Sequence, residues 1–215
     1  NLLYRDMAGN EEIHIPAAGL SKKWVFTRNH VLGTRRFGDY FRISHVVATL
    51  LNKAFVLKKE DYEEWDGFYR CKGKMIERAV VRDTATPRSL RYKKEEKIIF
   101  PYHYEGEKLI RYTEEQFRGL FPGAEAYLNT YREQLDKRKS DKSALWFEYG
   151  RSQALAGLNT RKLLISTVIT EKVPVYMLEQ QCIPYAGMYI VPKPGNQAYG
   201  LEAAKDILES DAFIR

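Results

Sequence analysis

Two apolar segments near the middle of the chain are separated by a turn centred on a glycine. Residues 97–104 and 108–112 are rich in Ile, Phe and Tyr, and a Glu-Gly-Glu turn around Gly106 lies between them. Apolar residues on both sides of a short turn with glycine are typical of a β-hairpin. A second hairpin is predicted over residues 68–77, with Gly73 at its turn. The chain is therefore expected to contain antiparallel β-sheet.

Further strands and helices are predicted on both sides of these hairpins. Strand-forming residues recur in five other segments, 37–44, 54–57, 162–168, 175–177 and 187–191. A capping box of Thr113 and Gln116 predicts the start of one helix, because each side chain satisfies a free amide of the first turn. Pro122 predicts the start of a second helix, in which apolar residues recur at helical spacing up to Leu135.

Three other segments complete the prediction. Residues 201–209 are expected to form a third helix, and residues 80–90 are expected to form a loop. Residues 24–36 can be interpreted as a helix or a strand, because their apolar residues fit neither period cleanly. The fold class predicted from these patterns is α+β, with a mixed or antiparallel β-sheet, hairpins and several helices.

The length and the distribution of these patterns predict three parts. Residues 1–36 are interpreted as an N-terminal connector and a basic entry segment, 37–200 as one domain, and 201–215 as the start of a C-terminal helical segment. The chain begins with Asn1 and has no secretion signal, so it is expected to be the interior of a longer protein.

Composition excludes several classes of protein. The longest stretches without a charged residue are far shorter than the roughly 20 residues that cross a bilayer, so no membrane span is predicted. The two cysteines, Cys71 and Cys182, lie far apart in the sequence. A secreted disulfide framework has more cysteines at short spacing, so a cytoplasmic location is expected. The four histidines are isolated from one another and from cysteine, so no metal site is predicted.

Positive charge is concentrated in two segments. The chain carries a net charge of +7, and Lys and Arg greatly outnumber acids in 20–57 and again in 67–94, with an acidic segment at 60–66 between them. Such blocks indicate a basic face that binds a polyanion, with Lys and Arg contacting phosphates. The alternative, that these side chains are solvated and have no partner, stays open.

Aromatic and hydrogen-bonding residues are concentrated in one short segment. Trp146, Phe147 and Tyr149 are followed after Gly150 by Arg151 and Gln153. Arginine can bind guanine or a phosphate through two hydrogen bonds, and glutamine can pair with adenine in the same way. The alternative is that the aromatic residues are core anchors and that the arginine tethers a helix end.

The candidate DNA contacts come from the basic segments, the connection at 45–53, the predicted loop at 82–91 and the corner at 149–153. These candidates are Lys22, Lys23, Arg35, Arg36, Arg42, Thr49, Asn52, Lys53, Arg82, Arg88, Arg91, Tyr149, Arg151 and Gln153.

A family resemblance adds to this interpretation. Its residues are Ile43 to Leu57, Phe100-Pro101-Tyr102, Tyr127-Leu128, Tyr131, Leu135, Arg138, Trp146, Tyr149-Gly150-Arg151, Gln153, Lys162-Leu163 and Tyr185 to Tyr189. In this order and spacing, they resemble the target recognition domain of adenine-N6 DNA methyltransferases, the TaqI-like specificity region of type II and type IIG restriction-modification enzymes. The chain departs from the family at Thr49-Leu50, where the family often has threonine followed by glycine.

The resemblance implies that DNA recognition and methyl transfer belong to separate domains of a longer protein. It implies that residues 37–200 bind double-stranded DNA and choose the site, and that a methyltransferase domain of the parent protein uses S-adenosylmethionine. This chain has no Pro-Pro pair and no Gly-x-Gly, which the catalytic half needs for the flipped adenine and the cofactor. The chain by itself is therefore expected to have no catalytic residues and no cofactor.

Two other functions are considered. Asp83 followed by Glu95-Glu96-Lys97 has the loose spacing of a PD-(D/E)xK nuclease centre, in which carboxylates hold Mg²⁺. Charge alone is also compatible with an RNA-binding or protein-interaction module, although the chain has no Gly-x-x-Gly clamp and no glycine-aromatic sheet signature.

Overall fold

The computed structural model describes residues 2–5, 12–15, 35–169 and 172–213. The chain forms two units, Asn1–Arg36 and Phe37–Arg215. In the first unit, β1 (Leu2–Arg5) pairs antiparallel with β2 (Glu12–Ile15), in a segment that was predicted to be an irregular connector. Lys22, Lys23 and most of the ambiguous segment 24–36 lie outside the described residues. The domain boundaries predicted at residues 36 and 200 stay predictions.

The second unit contains a four-stranded sheet that joins distant parts of the chain. Its strand order is β13 (Tyr176–Leu178), β12 (Lys162–Ile165), β14 (Met188–Pro192) and β3 (Phe41–His45). All neighbouring pairs are antiparallel, and Ile190 of β14 lies opposite Ile43 of β3. Helix α7 (Leu201–Glu209) forms where the third helix is predicted, and buries Leu201, Ala204 and Leu208 in the same apolar cluster as β12.

Two three-stranded sheets and one hairpin complete the β-structure. The first sheet has the order β4 (Val56–Lys58), β9 (Glu96–Ile99) and β8 (Val81–Thr84), and the second is β5 (Tyr62–Trp65), β6 (Phe68–Cys71) and β7 (Lys74–Glu77). Strands β10 (Tyr102–Glu105) and β11 (Lys108–Arg111) form the hairpin. Both predicted hairpins are confirmed, although Pro101 divides the predicted segment 97–104 into two strands of different sheets, because proline cannot donate to a ladder.

Three consecutive helices pack against the largest apolar cluster. They are α4 (Glu114–Leu120), α5 (Pro122–Asn129) and α6 (Arg132–Asp136). The capping box of Thr113 and Gln116 is confirmed, with the two hydrogen bonds at 3.1 and 2.9 Å. The helix predicted to run continuously from Pro122 is interrupted at Tyr131, which is the N-cap residue of α6.

Three segments differ from their predicted structure. The predicted loop at 80–90 is largely ordered as β8 and helix α3 (Pro87–Arg91). In α3, Thr86 and Ser89 form a reciprocal capping box around Pro87, so the segment has its own helix-start signal. The predicted strands at 37–44 and 54–57 each begin with a helical turn, α1 (Phe37–Tyr40) and α2 (Asn52–Phe55).

The observed class is α+β, as predicted, with antiparallel pairing throughout the described sheets. The largest apolar cluster includes Phe55, Phe100, Tyr127, Phe147 and Tyr149. This cluster supports the segments on which the candidate site residues lie.

Candidate nucleic-acid interface

A groove of about 640 Å³ lies beside β3. One wall consists of residues 42–46 and Ala48, and the opposite wall includes Arg151, Gln153 and residues 154, 156 and 157. The groove therefore lies between the strand that enters the domain and the segment that follows Gly150. Residues more than a hundred positions apart in sequence form its two walls.

Backbone hydrogen bonds join the two walls. The amide of Arg151 donates to the carbonyl oxygen of Ala48 over 3.1 Å, and the amide of Gly150 donates to that of Thr49 over 3.3 Å. A Cβ atom at position 150 would lie 2.5 Å from Cδ1 of Leu50, a separation that real Cβ atoms do not show. The side chain of Leu50 therefore occupies the space that a Cβ atom at position 150 would need.

Arg138 stabilises the contact between the two walls through hydrogen bonds to backbone carbonyl oxygens. Its guanidinium donates from Nη1 to the carbonyl oxygen of Thr49 over 2.6 Å and from Nη2 to that of Trp146 over 2.7 Å. Its Nε donates to the carbonyl oxygen of Leu135 over 3.0 Å. Partial burial lowers the pKa of Arg138 from its ordinary value. Three carbonyl oxygens from three segments are thus held by one side chain.

Asp141 binds the corner that carries Arg151. Its Oδ1 accepts a hydrogen bond from Nη1 of Arg151 over 3.1 Å, and its Oδ2 accepts one from the amide of Ser152 over 3.1 Å. The hydrogen bond from the Ser152 amide is the largest cause of a lowered pKa at the Asp141 carboxyl, and the nearby guanidinium also contributes. The carboxylate is therefore charged at neutral pH and holds the arginine at the wall of the groove.

Arg42 lies on the opposite wall, on β3. Its side chain lies against Gly157, because a Cβ atom there would be 2.7 Å from Nη2 of Arg42 and 2.8 Å from the hydroxyl oxygen of Tyr189. Arg42 is exposed. The absence of a side chain at position 157 leaves the guanidinium room to lie along the groove.

Three of the predicted contact residues are brought together by this geometry. Arg42, Arg151 and Gln153 all line the groove, although Arg42 and Gln153 are far apart in the sequence. Asn52 and Lys53 are exposed on α2, directly after the loop that borders the groove. Asn52 and Lys53 themselves lie outside the lining of the groove.

Two predicted contact residues are not available to a ligand. Thr49 is 0% exposed, and its hydroxyl donates to Oδ1 of Asn52 over 2.6 Å. Tyr149 is 1% exposed, and its hydroxyl donates to the carbonyl oxygen of Ile99 over 2.8 Å. Both side chains are inside the core, so they support the groove and do not touch what binds there. Burial also raises the pKa of Tyr149 well above its usual range.

The other aromatic residues of this segment are core anchors, which was the alternative interpretation. Phe147 is fully buried and stacks on Phe117 with ring centroids 4.2 Å apart. Trp146 is buried and donates from Nε1 to Glu114 over 2.9 Å. The aromatic side chains of this segment are therefore part of the core beside Arg151 and are not exposed for stacking on bases.

The remaining candidates lie outside the lining of the groove. Arg82 is half-buried and donates from Nη1 to the carbonyl oxygens of Ala79 and Val81. Arg88 and Arg91 are exposed on α3, and Arg88 lines a separate depression of about 350 Å³. Arg35 and Arg36 are exposed and belong to the first unit.

The residues of the proposed nuclease centre do come together, but in another arrangement. Asp83 of β8 lies opposite Lys97 of β9, and Nζ of Lys97 is 2.6 Å from Oδ1 of Asp83 and 3.5 Å from Oε1 of Glu95. The ammonium therefore lies between the two carboxylates, where a metal ion would have to bind. Across the described ranges, no three His, Cys, Asp or Glu side chains are grouped as metal ligands.

Several groove residues were not predicted from the sequence. Ser44, His45 and Tyr189 line the groove because β14 pairs with β3. Asp141 lies outside the lining and accepts a hydrogen bond from the amide of Ser152, in the segment that follows Gly150. No local pattern signals a pairing between strands so distant in sequence. For Asp141, the signal was a carboxylate in a basic segment, beside Lys139 and Lys142.

None of the helices in the described part of the chain has the length and apolar character of a membrane span.

Comparison with solved structures shows a likeness in fold. No family model matches the chain, and no curated protein matches it. Among solved structures, the chain is similar in fold to the type IIL restriction-modification enzyme MmeI in complex with DNA, with a TM-score of 0.50 and 13% sequence identity. The match covers 78% of this chain and 20% of the enzyme chain, so this chain corresponds to about a fifth of that protein.

Proposed function

We propose that this chain binds double-stranded DNA and selects the recognition site of a restriction-modification enzyme. In this proposal, the domain is the target recognition domain of an adenine-N6 DNA methyltransferase. The observation that carries the proposal is the groove that Arg42, Arg151 and Gln153 line together, on two segments joined by backbone hydrogen bonds. These are the side chains that bind phosphates and base edges in protein–DNA complexes.

The size of the groove supports the binding of part of a strand. A volume of about 640 Å³ lies within the range of small-molecule sites, so it cannot enclose a double helix. A duplex would lie against this face, with phosphates or base edges of one strand entering the groove. The two arginines in its lining, Arg42 and Arg151, fit this use, since protein–DNA interfaces are more positive than protein–protein interfaces.

The fold likeness supports the restriction-modification context. The solved neighbour is a restriction-modification enzyme in complex with DNA, and the matched region is a limited part of its length. A domain of this kind requires a separate catalytic part. We propose that S-adenosylmethionine binds to a methyltransferase domain of the parent protein, and that the complete enzyme acts in the cytoplasm.

Equilibrium binding to DNA tests the proposal. The full 215-residue chain is titrated into a fluorescent pool of random 30-bp duplexes, and the bound fraction is selected and sequenced over several rounds. One motif that contains adenine is expected to be enriched. Its affinity is expected to exceed that of unrelated duplexes by at least about 100-fold, because specific sites are commonly bound 10³-fold or more tightly.

Variants connect this binding to the groove. Arg42→Ala is expected to weaken binding to all duplexes and to reduce the slope of log K against log salt concentration by about 0.9, the value for one lost phosphate contact. Arg118→Ala is the matched control, because Arg118 is an exposed arginine of α4 that pairs with Glu114 outside the groove lining. Equal binding to duplex RNA and DNA, or no enriched motif, would contradict the proposal.

A further inference from the structure

We propose that Asp141 is a positioning residue that holds the Arg151 guanidinium for contact with a base edge, and that Arg42 on the facing wall contacts phosphate. This inference rests on the proposed DNA-binding function. It assigns different roles to two arginines that the sequence analysis treated alike.

Asp141 is bound to the corner at several points. Its amide donates to the carbonyl oxygen of Gly150 over 2.9 Å, and its Oδ1 accepts from Nη1 of Arg151 over 3.1 Å. Its Oδ2 accepts from both the amide and the hydroxyl of Ser152, over 3.1 and 3.3 Å. Side-chain and backbone hydrogen bonds therefore fix the carboxylate relative to Arg151.

The guanidinium keeps donors for a ligand. In the described residues, both recorded side-chain hydrogen bonds of Arg151 use Nη1, one to Asp141 and a longer one of 3.3 Å to the carbonyl oxygen of Gly150. Arginine has five N–H donors, so Nη2 and Nε remain for a ligand. The side chain is 42% exposed and lines the groove. Two donor nitrogens are what a bidentate contact with O6 and N7 of guanine requires.

The nearby carboxylate favours a base over a phosphate. Asp141 offsets the positive charge of Arg151, and its own negative charge repels a phosphate placed beside it. Contact with a base edge depends on the direction of the donors more than on net charge, and an arginine that is already held loses less side-chain entropy on binding. The ion pair with Asp141 therefore weakens a contact between Arg151 and a phosphate and strengthens a directional contact between Arg151 and a base edge.

Arg42 has the opposite surroundings. It is exposed on β3, and no ion pair joins it to a carboxylate in the parts of the chain that the structure describes. Its guanidinium lies beside Gly157 and the hydroxyl of Tyr189, both without charge at neutral pH. An arginine with its full charge and room to move suits a phosphate.

The substitution Asp141→Asn separates these roles. Asparagine keeps an oxygen that can accept from the Ser152 amide, but it loses the charge that holds Arg151. The ratio of affinities for the selected duplex and an unrelated duplex is expected to fall by roughly 10-fold or more, since one bidentate base contact contributes about 1 to 3 kcal/mol of discrimination. Affinity for the unrelated duplex is expected to stay equal or to increase, because a negative charge is removed.

A second variant and a control complete the experiment. Arg151→Lys keeps the positive charge but loses the planar guanidinium that makes two parallel hydrogen bonds. It is therefore expected to lower the ratio of affinities for the selected and the unrelated duplex, and to leave the slope of log K against log salt concentration unchanged. Asp136→Asn removes the same charge from the exposed pair with Arg132 and is expected to leave the ratio unchanged. Thermal unfolding of each variant shows whether it is folded at the assay temperature.

The outcomes distinguish this inference from the proposed function. If the wild-type chain prefers one duplex and Asp141→Asn keeps that preference, the positioning role is wrong and the DNA-binding function stands. If Asp141→Asn weakens both duplexes by the same factor, Asp141 has only a structural role and the inference is again wrong. If the wild-type chain shows no preference among duplexes, the proposed function fails and the inference fails with it.

Discussion

The guanidinium of Arg138 donates to the carbonyl oxygen of Thr49 over 2.6 Å, and this contact joins the end of α6 to the loop that borders the groove. The same side chain also binds the carbonyl oxygen of Trp146, from the segment that leads to Arg151. Arg138 therefore stabilises the segments on both sides of the groove.

Replacement of Arg138 by lysine is expected to lower the free energy of unfolding by about 2 to 3 kcal/mol. Lysine cannot reach three carbonyl oxygens with a planar fork, and hydrogen bonds to charged groups contribute about 1.5 to 3 kcal/mol each. Urea unfolding measures this change. Lys137→Ala, at the exposed neighbouring position, is expected to change stability by less than about 0.5 kcal/mol, and equal losses in both variants would contradict the supporting role.

Gly150 and Leu50 are expected to be energetically coupled. Gly150→Ala places a methyl group against Leu50 and is expected to cost about 1 to 3 kcal/mol, the usual range for overpacking. Leu50 has a φ of 57°, which glycine adopts without strain, and it is 43% exposed, so Leu50→Gly is expected to cost little. The double variant is expected to recover most of the loss from Gly150→Ala.

A double-mutant cycle with urea unfolding measures this coupling. An interaction energy of at least about 1 kcal/mol is expected for residues in direct contact. Additive effects of the two substitutions would show that the corner at position 150 has room that the structure does not give it.

Glu148→Gln is expected to destabilise the fold by about 2 to 3 kcal/mol, because it removes a charged partner of Arg111 inside the protein. Glu148 is 1% exposed and accepts two hydrogen bonds from Arg111, from Nε over 2.7 Å and from Nη2 over 2.6 Å. Because the side chain of Arg111 is partly exposed to solvent, the loss of unfolding free energy is limited. Thermal unfolding compares this variant with Asp136→Asn in an exposed pair, which is expected to lose no more than about 0.5 kcal/mol.

Lys162 is expected to make stability depend on pH. This side chain is 0% exposed, its ammonium donates to the carbonyl oxygens of Glu179, Gln180 and Cys182, and burial lowers its pKa to about 8. Because the pKa is lower in the folded than in the unfolded chain, the unfolded chain binds more protons above pH 8. Stability from this group therefore rises with pH from about 8 upward.

The comparison with Lys162→Met isolates this effect. Between pH 7 and 9, the wild-type chain is expected to gain about 1 kcal/mol relative to the variant, from 1.36 kcal/mol per unit of pKa shift. The measurement ends at pH 9, since burial raises the pKa of Cys182 from 9.0 to about 11, which acts in the opposite direction above that pH. Lys74→Met, at an exposed position, serves as the control, and parallel pH curves for wild type and Lys162→Met would contradict the prediction.

Local signals in the sequence predicted much of the secondary structure. The hairpins around Gly73 and Gly106 and the capping box at Thr113 depend on residues within a few positions, and all three form as predicted. The helix start at Thr86 has the same kind of signal with Pro87 and Ser89, but these residues were interpreted as loop-forming residues. The prediction of a loop was wrong, although the residues that signal the start of a helix were present in the sequence.

The site depended on contacts that local patterns do not contain. Arg42 reaches the groove because β3 pairs with β14, and Asp141 reaches Arg151 across a turn. The burial of Thr49 and Tyr149 could not be decided from residue type, since threonine and tyrosine occur both inside and outside proteins. The three-dimensional structure shows which side chains of the predicted segments line the groove.

The central claim is that duplex DNA binds at the groove between β3 and the corner at Arg151. Amide hydrogen exchange of the full chain, with and without the duplex selected from the random pool, tests it most directly. Added duplex is expected to slow exchange in residues 42–48 and 150–157, with little change in the sheet of β5, β6 and β7. Slower exchange in that sheet, with residues 42–48 and 150–157 unchanged, would contradict the claim.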